Sequence, residues 1–259
     1  MGKSLQFYIG CQKQQAPILN LSNLAIPVKI RGKQLGLILG ARTLQWAVPK
    51  RVLGVLAGAM GSPSALAQWA ASAEWVVAAD GGADRLLGAG AVPNAIVGDL
   101  DSASDRALAC GAEVIGDSDL DRTDCDKLLA HLASRGCEAA TILGFEGDRF
   151  DHMLASLLSI ARSPLSVRVA IYGSLGWVLG PGQSVSVPSV AGRSVSLLPL
   201  GGGCVATLAG VRWPLEGAEL GVAGLWSVSN EALGPVTASV TSGHALLQVE
   251  FPESEVPWW

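Results

Sequence analysis

The chain has 259 residues, 49% of them hydrophobic, with 32 glycines and a formal net charge of −4, enough for one large or two modest folded domains. No apolar run approaches the ~20 residues of a membrane span, and the five scattered cysteines form no CxxC pair, which excludes a zinc-ribbon or disulfide framework. Charge is uneven: residues 1–51 carry eight basic and no acidic residues, leaving ten basic against all 22 acidic residues in the remainder, and an acidic body argues against nucleic-acid binding. The basic head, 1–50, lacks a long apolar core with a small-residue cleavage site. It reads as an accessory extension, and a reducing cytoplasm is the simplest location.

From Arg51 the pattern becomes regular. Val52–Leu56 reads as a buried strand, and a helix over Pro63–Ala73 is opened by Ser62 as N-cap with Pro63 at the first helical position. The run Trp75–Ala79 ends at Asp80-Gly81-Gly82, with a helix over Ala83–Ala89. Ala95–Val97 ends at Gly98-Asp99-Leu100-Asp101-Ser102, and Ser104–Cys110 can be helical. Glu113–Ile115 leads into the acidic turn 116–124. A helix over 124–134 follows, with Thr123 as N-cap and Cys125, Leu128, Leu129 and Leu132 at helical spacing. Ala140–Leu143 ends at Gly144–Arg149, and a last helix carries Phe150, Met153, Leu154, Leu157 and Leu158 on one face.

This alternation predicts an α/β fold, a mainly parallel sheet flanked by helices. Beyond residue 165 the runs become short and are separated by Gly, Pro and Ser, which predicts a C-terminal all-β sandwich domain. The expected division is 1–50 (extension), 51–172 (α/β catalytic domain) and 173–259 (β-sandwich).

The polar residues share a location under this reading. Asp80, Asp99, Asp101, Asp121, Asp124 and Arg149 each follow a strand, and the carboxyl edge of an open α/β sheet is where ligands bind. Asp99 and Asp101, one residue apart in a Gly/Ser turn, form a pair whose mutual repulsion a hard cation such as Mg²⁺ would relieve. Each feature also has a plain structural reading. Asp and Ser are ordinary turn residues, Asp124 suits a helix start through the helix dipole, and Lys127 sits where an i, i+3 ion pair with Asp124 forms. Gly81-Gly82 before a helix admits a phosphate, though glycine is common in such turns.

The ordered set Asp80-Gly81-Gly82-Ala83, Gly98-Asp99-Leu100-Asp101-Ser102, Asp119-Leu120-Asp121-Arg122-Thr123-Asp124 and Gly147-Asp148-Arg149-Phe150-Asp151-His152 resembles the thiamine pyrophosphokinase (thiamine diphosphokinase) family. So do Ser196-Leu197-Leu198-Pro199-Leu200, Gly210-Val211-Arg212-Trp213-Pro214-Leu215 and Ser227-Val228-Ser229-Asn230-Glu231. The resemblance covers about residues 52–251. It implies a homodimeric enzyme with active sites between subunits, transferring a pyrophosphoryl group from ATP to the thiamine hydroxyl with Mg²⁺. It further implies Asp99, Asp101 and Asp124 as metal ligands and, with Arg149, as catalytic residues. Asp80, Gly81, Gly82, Ser102, Thr123 and Lys127 would face the nucleotide. Asp151, His152, Trp213 (or Trp226), Ser227, Ser229 and Asn230 would face thiamine. Asp148 stands where many relatives have glycine. The competing readings are another Mg²⁺-dependent phosphate-transfer or hydrolysis enzyme, and a non-catalytic thiamine- or nucleotide-binding protein.

Overall fold

The computed structural model describes residues 28–30, 33–35, 49–59, 61–147, 149–171, 173–188, 190–255 and 259. Most of the basic head and Asp148 lie outside them. The chain divides into two compact units, 1–47 and 48–259. Of the first, the described part is an antiparallel pair, β1 (Val28–Ile30) and β2 (Lys33–Leu35).

The second unit begins with β3 (Val52–Val55), followed by α1 (Pro63–Ser72), β4 (Trp75–Ala79), α2 (Gly82–Gly88), β5 (Ala95–Gly98), α3 (Asp105–Leu108), β6 (Glu113–Gly116), α4 (Asp124–Ser134), β7 (Ala139–Leu143), α5 (Phe150–Arg162) and β8 (Ser166–Ile171). Ser62 caps α1, its side chain accepting from the Ala65 amide. At α4, Thr123 and Asp126 form a reciprocal capping box. Strands β8, β7, β3, β4, β5 and β6 lie side by side in that order, every pair parallel. Alternate residues of β3 serve opposite faces. Leu53 and Val55 pack with Leu66, Trp69 and Leu86 on one side, while Val52 and Leu56 pack with Leu128, Leu132 and Ile160 on the other. Gly82 is fixed by packing, since a Cβ there would lie 2.2 Å from the Val55 carbonyl oxygen.

Strand order reverses between β3 and β7. Connections run from β3 outward to β6 and then return to β7 on the far side of β3. The crevice beyond their carboxyl ends is therefore a topological switch point, where open sheets bind ligands.

The all-β part comprises β9 (Ser174–Leu179), β10 (Ser184–Val187), β11 (Ser194–Val211), β12 (Leu215–Leu220) and β13 (Ser227–Glu250). It is all-β, as expected, and antiparallel in character, and it is joined to the α/β sheet by pairing of β8 with β9. Two strands are far longer than the short runs expected. Val195 pairs with both Asn230 and Val249, and Leu197 with both Ser227 and Leu247, so the start of β11 lies between the two ends of a bent β13. Gly234-Pro235 lies in a bulge of β13 itself, between Ala232, which pairs with Val211, and Thr237, which pairs with Ala209.

One expectation about α5 needs correcting. Met153 and Leu157 face the core with Ile160, but Phe150, Leu154 and Leu158 are exposed. The five apolar residues span more arc than one packed face accepts. The orientation is set instead by Ser156 and Ser159, small enough to be buried, and the Cys125 thiol donates to the Ser156 carbonyl across α4 and α5.

Candidate active site

Two turns at the carboxyl edge, one after β4 and one after β5, bring Asp80, Asp99 and Asp101 together, with one ligating oxygen of each within 4.8 Å of the others. Backbone conformation makes this possible. Asp80 (φ 45°) and Leu100 (φ 68°) occupy the left-handed region that non-glycine residues rarely adopt, a cost tolerated mainly at functional sites. Asp80 is 1% exposed. Its Oδ1 accepts from the Ser102 amide at 3.1 Å, while its Oδ2 is buried without a hydrogen-bond partner among the described residues. Burial raises its carboxyl above the ordinary range; the Ser102 hydrogen bond opposes this and neighbouring Asp99 adds to it. Asp99 moves the other way, to about 2, because the Lys127 ammonium hydrogen-bonds to it. Ser102 completes the turn, its Oγ accepting from the Gly81 amide at 3.2 Å.

Beside this cluster is a cleft of about 440 Å³, bounded by Leu56–Gly58 after β3, Asp99 after β5, Leu120, Arg122 and Thr123 before α4 with Asp124 at its start, Gly144–Gly147 after β7, Arg149 at the cap of α5 and His152 within it; Asp121 is not in the lining. Asp124 faces it, its carboxyl raised by burial against the opposing influence of Lys127. Lys127 is 2% exposed; its Nζ lies 2.9 Å from Asp99 Oδ2 and 3.9 Å from Asp124 Oδ1. Burial alone would lower its pKa, but the hydrogen bond and charge of Asp99 reverse the direction. Arg149 donates through Nε and Nη2 to the two Asp151 oxygens at 3.0 and 2.7 Å, which holds the Asp151 carboxyl at about 2. Thr123 spends its hydroxyl on the helix cap.

The sequence reading did not single out the Leu56–Gly58 segment or Glu146. Gly58 carried a signal only in retrospect: a Cβ there would lie 1.9 Å from the Glu146 carbonyl oxygen, so glycine alone allows these two loops to form the cleft floor. The expected thiamine-facing residues of the β part do not line this cleft. Asn230 is 4% exposed and bridges the Trp213 backbone, accepting from its amide at 3.1 Å and donating to its carbonyl at 2.7 Å. Ser229, at φ 54°, donates its amide to Ser196 Oγ, and Ser227 is buried. Trp213, Trp226 and Val228 are more than half exposed.

Family models match both parts in tandem: thiamin pyrophosphokinase, catalytic domain, over residues 66–172, and thiamin pyrophosphokinase, vitamin B1 binding domain, over 183–247. The chain belongs to the thiamin pyrophosphokinase family. Its activity is accordingly that of a thiamine diphosphokinase, with ATP as co-substrate. Solved thiamin pyrophosphokinases share the fold. The enzyme from Bacillus subtilis aligns with a TM-score of 0.63 at 21% identity, covering 77% of this chain and 98% of its own. That from Candida albicans gives 0.65 at 18%, covering 78% and 88%, and the yeast enzyme 0.64 at 19%, covering 81% and 89%. No curated protein sequence matches the chain. Among the described residues no helix is long and apolar enough to cross a membrane.

Proposed function

We propose that Asp80, Asp99 and Asp101 hold Mg²⁺ at the rim of the switch-point cleft, and that the ATP triphosphate lies across it. The observation that carries this is the buried, unpartnered Asp80 Oδ2 facing two more carboxylates. Protonated, it can share a hydrogen bond with Asp99, but with both carboxylates ionised the buried oxygen needs a cation. An all-oxygen donor set suits a hard ion that keeps waters and takes phosphate oxygens. This shifts the expected ligand set: Asp80, first read as nucleotide-facing, joins Asp99 and Asp101, while Asp124 is set apart by Lys127.

The thiamine hydroxyl oxygen bonds to the β-phosphorus of ATP, and the bond from that phosphorus to the α–β bridging oxygen breaks, releasing AMP. The metal, when bound, offsets charge on the transferring phosphates. Arg149 adds positive charge at the cleft mouth once its edge turns from Asp151 to phosphate. The hydroxyl proton goes to a cleft carboxylate; Asp124, with its raised pKa, is the group suited to take it.

We further propose a homodimer in the cytoplasm, with thiamine held between the cleft of one subunit and the β part of its partner. Supporting this are the absence of Trp213, Ser227, Ser229 and Asn230 from the cleft lining and the exposed apolar residues on both parts, Phe150, Leu154 and Leu158 on α5 and Trp213, Trp226 and Val228 on the β part. His152 would meet thiamine from the cleft side.

The test is AMP formation strictly dependent on thiamine and Mg²⁺. Phosphate released without thiamine would favour a hydrolase, and thiamine binding without product a sensor. Mixing Asp101→Asn protein with Trp213→Ala protein tests the shared site. Recovery of up to a quarter of wild-type activity is expected if one heterodimer site is intact, and no recovery places the whole site in one subunit.

A further inference from the structure

We infer that Lys127 is a positioning residue, a fixed internal cation that ties the Asp99 turn to the start of α4, and that it does not touch phosphate. The inference rests on the cleft being the site of transfer.

Three observations carry it. The first is burial: a lysine that grips phosphate presents its ammonium to the ligand, whereas Lys127 is 2% exposed. Burying an ammonium is costly unless it is paired. The second is aim. Its Nζ is 2.9 Å from Asp99 Oδ2, on the turn after β5, and 3.9 Å from Asp124 Oδ1, at the first residue of its own helix, with β6 between the two carboxylates in the chain. Asp99 sits on the turn of left-handed Leu100, and of the groups that hold its carboxylate, Lys127, Asp80 and the Asp101 amide, only Lys127 belongs to another element's helix and carries positive charge. The third is place. Lys127 lines the transfer cleft on one side and, on the other, a depression of about 610 Å³ that includes Asp117, Asp119, His131 and Ser134. It forms part of the wall between them, and Asp117 behind it adds to the negative charge that anchors it.

Removing the ammonium while keeping the stem, as Lys127→Met, leaves Asp99 and Asp124 to repel and move apart. The expected result is a fall in kcat of at least 30-fold. The Kd for metal-free α,β-methylene-ATP, read by calorimetry in EDTA, changes less than threefold, because the triphosphate loses no contact, while the loss passed on through Asp99 appears as a higher Mg²⁺ requirement for turnover. Lys127→Arg, which keeps the charge, recovers part of the lost kcat. A Kd weakened tenfold or more, or a kcat within threefold of wild type, overturns the inference. Should Lys127→Met fail to fold, the Asp99→Asn/Lys127→Met double variant removes both members of the pair. Positioning through Asp99 predicts that it matches Asp99→Asn alone in both kcat and nucleotide Kd. A phosphate contact predicts a further loss of nucleotide affinity, which would also overturn the inference. Thiamine-dependent AMP release by the unmodified enzyme is measured first, so a failure of the functional reading is seen separately from a failure of the role given to Lys127.

Discussion

The α/β rim and the β part both carry residues expected at the active site, but they are built on opposite terms. At the rim, acids are gathered against their mutual repulsion, two backbone positions are strained, and one carboxylate oxygen is buried without a partner. In the β part the polar groups are satisfied: Asn230 spends its amide on Trp213, and the aromatic surface faces outward. The difference teaches where stability has been given up. The rim is an electrostatic device complete within one chain and improved by a cation. The β part is a stable scaffold presenting an apolar face that is improved by a second surface.

Substitutions can break this comparison. The largest effect is expected from Asp101→Asn, which keeps the shape of the turn and removes one charge. Turnover should drop ~10³-fold or more, on the scale of losing a metal or arginine contact in phosphoryl transfer, with thiamine affinity and melting temperature near wild type. Initial rates across a Mg²⁺ titration, with a melting curve alongside, decide it. A normal rate at low Mg²⁺ would return the turn to a solvated loop.

Asn230→Ala should act on the other term. It strands the Trp213 amide and carbonyl, and leaving buried polar groups unpaired costs about 1–3 kcal/mol. A loss in denaturant midpoint of that size is expected, larger than for Asp101→Asn at the rim. An unchanged midpoint would show that Asn230 is not a brace.

Asp80→Asn sharpens the contrast, because stability and activity should move in opposite directions. Burial raises the Asp80 carboxyl, so its ionisation opposes folding as pH rises through the folded-state value. The amide removes that penalty while its oxygen can still accept from Ser102. The apo protein should gain roughly 1 kcal/mol while turnover is lost; a lower melting temperature would contradict the account.

The smallest effect concerns pH. Asp99 lies at about 2 in the folded chain against an ordinary 3.8. A depressed carboxyl contributes stability that is present above the ordinary value and lost as pH falls toward the folded one. The melting-temperature difference between wild type and Asp99→Asn should therefore shift against wild type between pH 4 and pH 2, and stay flat from pH 5 to 7.

Much of the α/β part is legible in the sequence because its signals are local. Ser62-Pro63 starts α1, and the apolar spacing of Cys125–Leu132 behind Thr123 specifies α4 over Asp124–Ser134, as observed. Two features resisted. The face of α5 was misjudged because Phe150, Leu154 and Leu158 look like core residues, and only packing against α4 shows which arc is turned inward. The lengths of β11 and β13 are not legible because Gly, Pro and Ser between apolar runs look like strand ends, whereas β13 takes up Gly234-Pro235 in a bulge of its own between Ala232 and Thr237.

By itself the sequence determined the strand-and-helix alternation, the acidic turns at strand ends and the family, because each depends on neighbours along the chain. Only the tertiary structure decided that Asp80 belongs with Asp99 and Asp101, that Lys127 is buried between Asp99 and Asp124, and that Gly58 must be glycine. Those relations join residues of different turns, and their energies depend on burial and distance, quantities that exist only once the sheet has brought the turns to one edge.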